Sequence, residues 1–151
     1  MHILFICTGN ICRSAAAESV LRQQLNAAGV ENVTVASAGT QGWGSHPIDA
    51  VMTRIAAERG YHMEGYSKYV TREMLNAADL ILVMAHSHRD EVTRLLDYNR
   101  WNRVHLFMNY CFGKESSLID PTYCPEVIYR EVFAAIEKGC RVIVGKIVEQ
   151  A

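Results

Sequence analysis

Cys7 stands directly after an apolar run, HILFI (His2–Ile6), and Arg13 follows six residues later, with Gly9 and Asn10 between them and Ser14 just behind. A thiol is a nucleophile mainly as its thiolate. A guanidinium is a planar fork that matches two oxygens of a tetrahedral oxyanion. Gly and Asn tolerate left-handed backbone angles, so the segment between the two side chains can curl. A curled loop that enters a helix turns successive N–H groups inward and adds the helix's positive N-terminal pole, which makes an anion site. Cys7 at the base of such a site is expected to be held as the thiolate. One ordinary hydrogen bond contributes only about 1 kcal/mol net, so the whole nest has to act. Ser14 can donate its hydroxyl to the sulfur, cap the helix, or do both.

The plain alternatives are a buried structural cysteine beside a surface arginine, a disulfide, or a metal site. The other cysteines are Cys12, Cys111, Cys124 and Cys140, an odd total of five at irregular spacing, which argues against a disulfide framework. No C-x-x-C occurs and His86-Ser87-His88 has no cysteine near it, so neither a metal nor another cofactor is expected. A second chemical candidate is Asp120 before Pro121. Asp-Pro is a common turn opener, yet proline also restricts the preceding residue to extended angles that can aim a carboxylate across a cleft.

These side chains need a frame. The chain has 151 residues, 50% of them apolar, and a net charge of −1, which predicts one soluble domain over residues 1–151. Without a basic block or a long apolar segment, no nucleic acid and no membrane partner is expected, and the predicted location is cytoplasmic. Strand and helix signals alternate: HILFI, a helix over Ser14–Ala28, a strand VTVASAG (Val33–Gly39), and a helix from Pro47 to about Arg59. Then come a buried strand ADLILVM (Ala78–Met84), a helix from Ser87 to about Tyr98, a strand RVHLFM (Arg103–Met108), and a long loop from Met108 to Cys124. A closing helix runs over Glu126–Val148, with Gly139 as a point of kink or interruption. This pattern predicts an α/β fold of flavodoxin-like type: a four-stranded parallel sheet with helices on both faces and a phosphate-binding loop after the first strand. Ligands in such sheets bind beyond the carboxyl ends of the strands, where Cys7 falls.

CTGNICRSAAAE (Cys7–Glu18) resembles the signature of the low-molecular-weight protein tyrosine phosphatases. DPTY (Asp120–Tyr123) is similar to their second motif, and SAGT (Ser37–Thr40) followed by Trp43 resembles the segment beside their substrate cleft. The resemblance implies that Cys7 is the nucleophile, Arg13 the phosphate clamp and Asp120 the general acid and base. The phosphate-binding residues would be Thr8, Gly9, Asn10, Ile11, Cys12, Arg13 and Ser14. Ile11, Trp43 and Tyr123 would line a cleft for a phenyl ring; ordinary partly buried aromatics are the alternative for the last two. In the wider family a small polar residue at position 11 goes with phosphoarginine, and isoleucine with phosphotyrosine. Cys12 could form a reversible disulfide with Cys7 under oxidants.

The implied partners are tyrosine-phosphorylated proteins, with inorganic phosphate or other oxyanions as inhibitors, acting on a monomer or weak dimer. Five residues depart from the pattern that the resemblance implies: Ala15 for a proline, Thr122 for an aromatic, Gly65 and Lys68 for a histidine and an arginine, and Ala85 for an aspartate. Competing readings are a protein arginine phosphatase, an arsenate reductase, and a non-enzymatic oxyanion-binding module. An arsenate reductase requires a cysteine relay after the third strand, and His86–Tyr98 contains no cysteine.

Overall fold

The computed structural model describes residues 1–41 and 44–150. Strands β1 (His2–Cys7), β2 (Thr34–Gly39), β3 (Leu80–Val83) and β4 (Val104–Leu106) form one all-parallel sheet in the order β2-β1-β3-β4. Helices α1 (Arg13–Ala27), α2 (Ala50–Glu58), α3 (Arg72–Ala77), α4 (His86–Leu95), α5 (Phe107–Phe112) and α6 (Glu126–Glu149) surround it. Ile3 and Phe5 of β1 belong to one buried cluster, with residues of α1, α2, α5 and α6. Leu4 and Ile6 belong to another, with Leu75, Val92 and Leu96 near α3 and α4. This division follows from the period-two alternation of a strand covered on both faces.

β1 lies between β2 and β3, so consecutive connections leave the sheet in opposite directions beside it. That reversal opens a crevice at the carboxyl ends of β1 and β3. Both the loop after Cys7 and the start of α4 face it.

Several boundaries differ from expectation. α2 does not start at Pro47: Asp49 is its N-cap and accepts from the Met52 N–H at 2.9 Å. α3, absent from the sequence reading, is capped by Thr71, whose hydroxyl accepts from the Met74 N–H at 3.1 Å. α5 takes up Phe107 and Met108, expected to end a strand, and the first residues of the stretch read as a long loop; its six residues end at Phe112, and Gly113 with φ of 69° caps it. A helix that short has too few turns to display a period. Residues Tyr98–Arg103 form a 3₁₀ turn before β4.

Gly139 does not interrupt α6, which is continuous for 24 residues. A Cβ there would collide with the Phe107 ring and lie 3.2 Å from the Cys111 sulfur. The glycine therefore lets α5 pack close to α6. Gly39 has a similar reason to lack a side chain: a Cβ would lie 2.6 Å from the Thr8 carbonyl oxygen, inside the loop that follows β1. β2 thus ends where it does so that this loop can rest against it.

Candidate active site

Residues 8–12 form the loop between β1 and α1, and its main chain is anchored on the outside. The Cys7 carbonyl accepts from Thr40 N–H at 3.0 Å, the Thr8 carbonyl from Gln41 N–H at 3.0 Å, and the Ile11 carbonyl from Asp49 N–H at 2.8 Å. The Cys12 carbonyl accepts from Ala16 N–H at 2.9 Å within the first turn of α1. In a planar trans peptide the next N–H points opposite to the carbonyl, and no peptide here is cis. The N–H groups of Thr8, Gly9 and Cys12 therefore point away from Thr40, Gln41 and Asp49, and that of Arg13 away from the first turn of α1. Asn10 has φ of 58°, the left-handed angle that lets the chain curl.

The Asn10 side chain does not face the cavity. It donates to Ser14 Oγ at 2.9 Å and to Ser37 Oγ at 2.8 Å, and its carbonyl accepts from Lys68 N–H at 2.9 Å. Ser37 in turn donates to Glu18 at 2.6 Å. Ser14 Oγ lies 2.9 Å from Cys7 Sγ. Because Asn10 already donates to Ser14, the serine's own proton is available to the sulfur. Ser14 is not the helix cap, since α1 starts at Arg13 and Cys12 occupies the N-cap position without a side-chain bond. Its hydroxyl serves the sulfur and the loop. The Lys68 main chain reaches Asn10, and Ala15 is buried in the first turn of α1.

A cavity of about 640 Å³ opens over this loop, lined by Cys7, Thr8, Gly9, Ile11, Cys12, Arg13, His46, Asp49, Asp120, Thr122, Tyr123 and Tyr129. Cys7 is almost fully buried, yet it lines this cavity, so its sulfur sits at the bottom of an opening. Arg13 is buried and held in place: one terminal nitrogen donates to the Leu118 carbonyl at 2.8 Å, and the other lies 3.7 Å from the Asp120 carboxylate. Leu118 is itself fixed, since its N–H donates to the Met84 carbonyl at 2.8 Å. Next to it, Ser117 Oγ accepts from His86 N–H at 3.1 Å at the start of α4. Ser117 thus covers the helix end that Ala85, the N-cap without a side-chain bond, leaves open. These ties bring the segment bearing Asp120 across the crevice to the Cys7 loop.

Thr122 occupies a position where an aromatic was expected, and it braces the carboxylate. Its N–H and its hydroxyl donate to the same Asp120 oxygen, at 3.1 and 2.7 Å. Partial burial works to raise the Asp120 carboxyl, but the two Thr122 hydrogen bonds and the charges of Arg13 and His88 together outweigh it, so its pKa falls below the usual carboxylate value. Removing the hydroxyl with Thr122→Val is expected to raise that pKa. If protonated Asp120 is needed for turnover, the alkaline limb of kcat against pH then moves to higher pH. An unchanged limb in a pH–rate profile would count against this link.

Tyr123 is fully exposed at the rim, with φ of 64°, an unusual angle for an aromatic residue. Trp43 lies outside the described residues. Cys12 is buried and lines the cavity; burial first, then Asp49 and Cys7, push its thiol well above the ordinary cysteine value. Cys111 and Cys140 are buried in the core, and burial pushes the Cys111 thiol up to about 12.

Sequence reasoning missed four contributors. Asp49 joins the loop to α2 through its N–H and its cap, and its second oxygen accepts from the Tyr129 hydroxyl at 3.2 Å. Burial and Asp49 push Tyr129 up to about 12, so it stays a neutral donor. His46 lines the mouth of the cavity. His88 was considered only as a metal ligand, but it lies under the loop with its Nε2 2.9 Å from Thr8 Oγ1. Only Asp49 carried a readable signal, as a cap before α2; the others depend on long-range packing.

This geometry can be set beside known proteins. The family model described as low molecular weight phosphotyrosine protein phosphatase matches residues 2–151. The chain belongs to that family. It is 36% identical over 138 residues to the low molecular weight protein-tyrosine-phosphatase Etp of Escherichia coli K12, covering 91% of this chain and 88% of the relative. It is 28% identical over 141 residues to the protein-arginine-phosphatase of Bacillus subtilis, covering 93% of each. Its fold superposes on a low molecular weight phosphotyrosine phosphatase from Vibrio cholerae O395 with a TM-score of 0.93 and 27% identity, covering 100% and 99% of the two chains. As a phosphatase of this family, the chain has its sheet, helices and loop in the expected arrangement. Among the described residues, no helix is long and apolar enough to cross a membrane.

Proposed function

We propose that this low-molecular-weight phosphatase hydrolyses phosphotyrosine in proteins, and small aryl phosphates, through a phosphocysteine intermediate on Cys7. The carrying observation is that Cys7, Arg13 and Asp120 line one cavity, with the carboxylate 3.7 Å from the guanidinium. The Cys7 thiolate attacks phosphorus as the bond to the phenol oxygen breaks. Arg13 and the loop N–H groups hold the equatorial oxygens. An arriving phosphate dianion engages Arg13 and places negative charge beside Asp120, which favours the protonated carboxyl. Asp120 gives that proton to the departing phenolate, then takes one from the water that cleaves the sulfur–phosphorus bond.

A recessed sulfur favours a long rigid phenyl ester over a short serine phosphate. Ile11 on the cavity wall supports phosphotyrosine over phosphoarginine. Chelator-treated protein should release phosphate from a phosphotyrosine peptide at least tenfold faster than from the matching phosphoarginine peptide. The reverse order would replace the tyrosine reading with the arginine one.

Cys12 gives the site a redox partner in the same proposal. Peroxide converts the Cys7 thiolate to the sulfenic acid and releases hydroxide; the Cys12 thiol then displaces water and closes the disulfide. Thiol treatment after peroxide is expected to restore the parent protein more fully than Cys12→Ser. Equal recovery would remove Cys12 from this role.

A further inference from the structure

Thr8 sits in the cavity directly after Cys7, and its hydroxyl oxygen is approached from two sides. His88 Nε2 lies 2.9 Å away, and Arg13 Nη2 donates to it at 3.5 Å. His88 comes from α4 and is buried; its other ring nitrogen, Nδ1, is buried too and has no partner among the described residues. Burial first, then the positive charge of Arg13, push His88 down to about 4, while Asp120 acts weakly the other way. The ring is therefore neutral near pH 7 and has a single N–H.

The hydrogen-bond network assigns the tautomer. A proton on Nδ1 would leave a buried donor without an acceptor, whereas a proton on Nε2 leaves only a bare lone pair. With the proton on Nε2, the histidine donates to Thr8. Arg13 donates to the same oxygen, so both lone pairs of the hydroxyl are occupied. Its own proton has to find an acceptor elsewhere, and Thr8 borders the cavity where the phosphoryl oxygens would lie.

We infer that Thr8 donates its hydroxyl to a bound phosphoryl group and that His88 is the positioning residue that keeps this proton free. The inference rests on the phosphatase reading and adds a side-chain donor to the main-chain nest. A hydrogen bond to a charged oxygen belongs to the stronger class, so its loss should be measurable against the nest. It also gives the unpartnered Nδ1 a reason: a second partner there would let the ring switch tautomer and turn the threonine into an acceptor.

The test combines phosphate binding with the ring's own signal. Inorganic phosphate binding is measured by calorimetry on the parent, Thr8→Val, Thr8→Ser, His88→Leu, His88→Gln and the Thr8→Val/His88→Leu double variant. Thr8→Val should weaken binding about tenfold or more, and Thr8→Ser should recover most of that loss. His88→Leu should weaken it comparably, and His88→Gln, which can offer a nitrogen donor in place of Nε2, should restore part. The double variant should be no weaker than Thr8→Val, because both changes remove one interaction. Long-range ¹H–¹⁵N spectra of the His88 ring should show the Nε2–H form at neutral pH.

Parent-like phosphate binding by Thr8→Val, additive losses in the double variant, or an Nδ1–H ring would each overturn the inference. Thr8→Val and the ring spectrum do not depend on whether His88→Leu folds. Binding is read whether or not the protein turns over, so a parent without phosphatase activity would sink the phosphatase reading while these measurements still decide this one.

Discussion

Cys7→Ser is expected to lose aryl phosphate turnover by roughly 10⁴-fold or more, the scale seen when a catalytic nucleophile is removed. A serine hydroxyl is far harder to ionise than a thiol, so nearly all of the attacking species would disappear even though the nest persists. The carbonyls of Cys7, Thr8 and Ile11 are tied to Thr40, Gln41 and Asp49 by main-chain bonds, and none of these depends on the sulfur. The variant should therefore fold and bind inorganic phosphate while failing to react. Rapid acid quench of the parent with a labelled aryl phosphate should trap a phosphorylated Cys7 peptide, and the variant should yield none. Turnover in Cys7→Ser within tenfold of the parent would remove the covalent mechanism altogether.

Asp120→Ala should slow phosphotyrosine hydrolysis by about 10²–10⁴-fold, the usual contribution of general acid catalysis. The size should depend on the leaving group. A poorly acidic phenol needs its proton during bond breaking, whereas nitrophenolate departs readily without one, so the loss on nitrophenyl phosphate should be smaller. This contrast separates proton donation from a structural effect. Asp120 also lies 3.7 Å from Arg13, and a change that merely loosened the guanidinium would weaken both substrates alike. Arg13 keeps its bond to the Leu118 carbonyl in either case, which makes a general collapse of the clamp unexpected. Equal losses on the two esters would reassign Asp120 from acid to support.

Local chemistry was the legible part of this chain. The apolar strand, the Gly-Asn curl, the thiol at its start and the guanidinium at its end lie within residues 2–14, so the loop and its anion preference could be reasoned from neighbours alone. Alternating signals likewise sufficed for a parallel sheet, because β1 and β3 are buried on both faces and carry almost uninterrupted apolar runs. Short elements stayed invisible: α3 and α5 have six residues each, fewer than two full turns.

Tertiary structure alone decided how the distant pieces meet. The Met84 carbonyl and the His86 N–H hold Leu118 and Ser117, and that clamp brings Asp120 to a loop more than a hundred residues earlier. The Thr122 hydroxyl is committed to the Asp120 carboxylate, and no spacing rule links its identity to that bond. His88 reaches Thr8 only because β3 lies next to β1 and delivers α4 beneath the loop. A sequence states which groups can donate, accept or ionise. Which of them share a cavity is settled by strand order and side-chain packing, since hydrogen bonds and charges act over a few ångströms of space regardless of their separation along the chain.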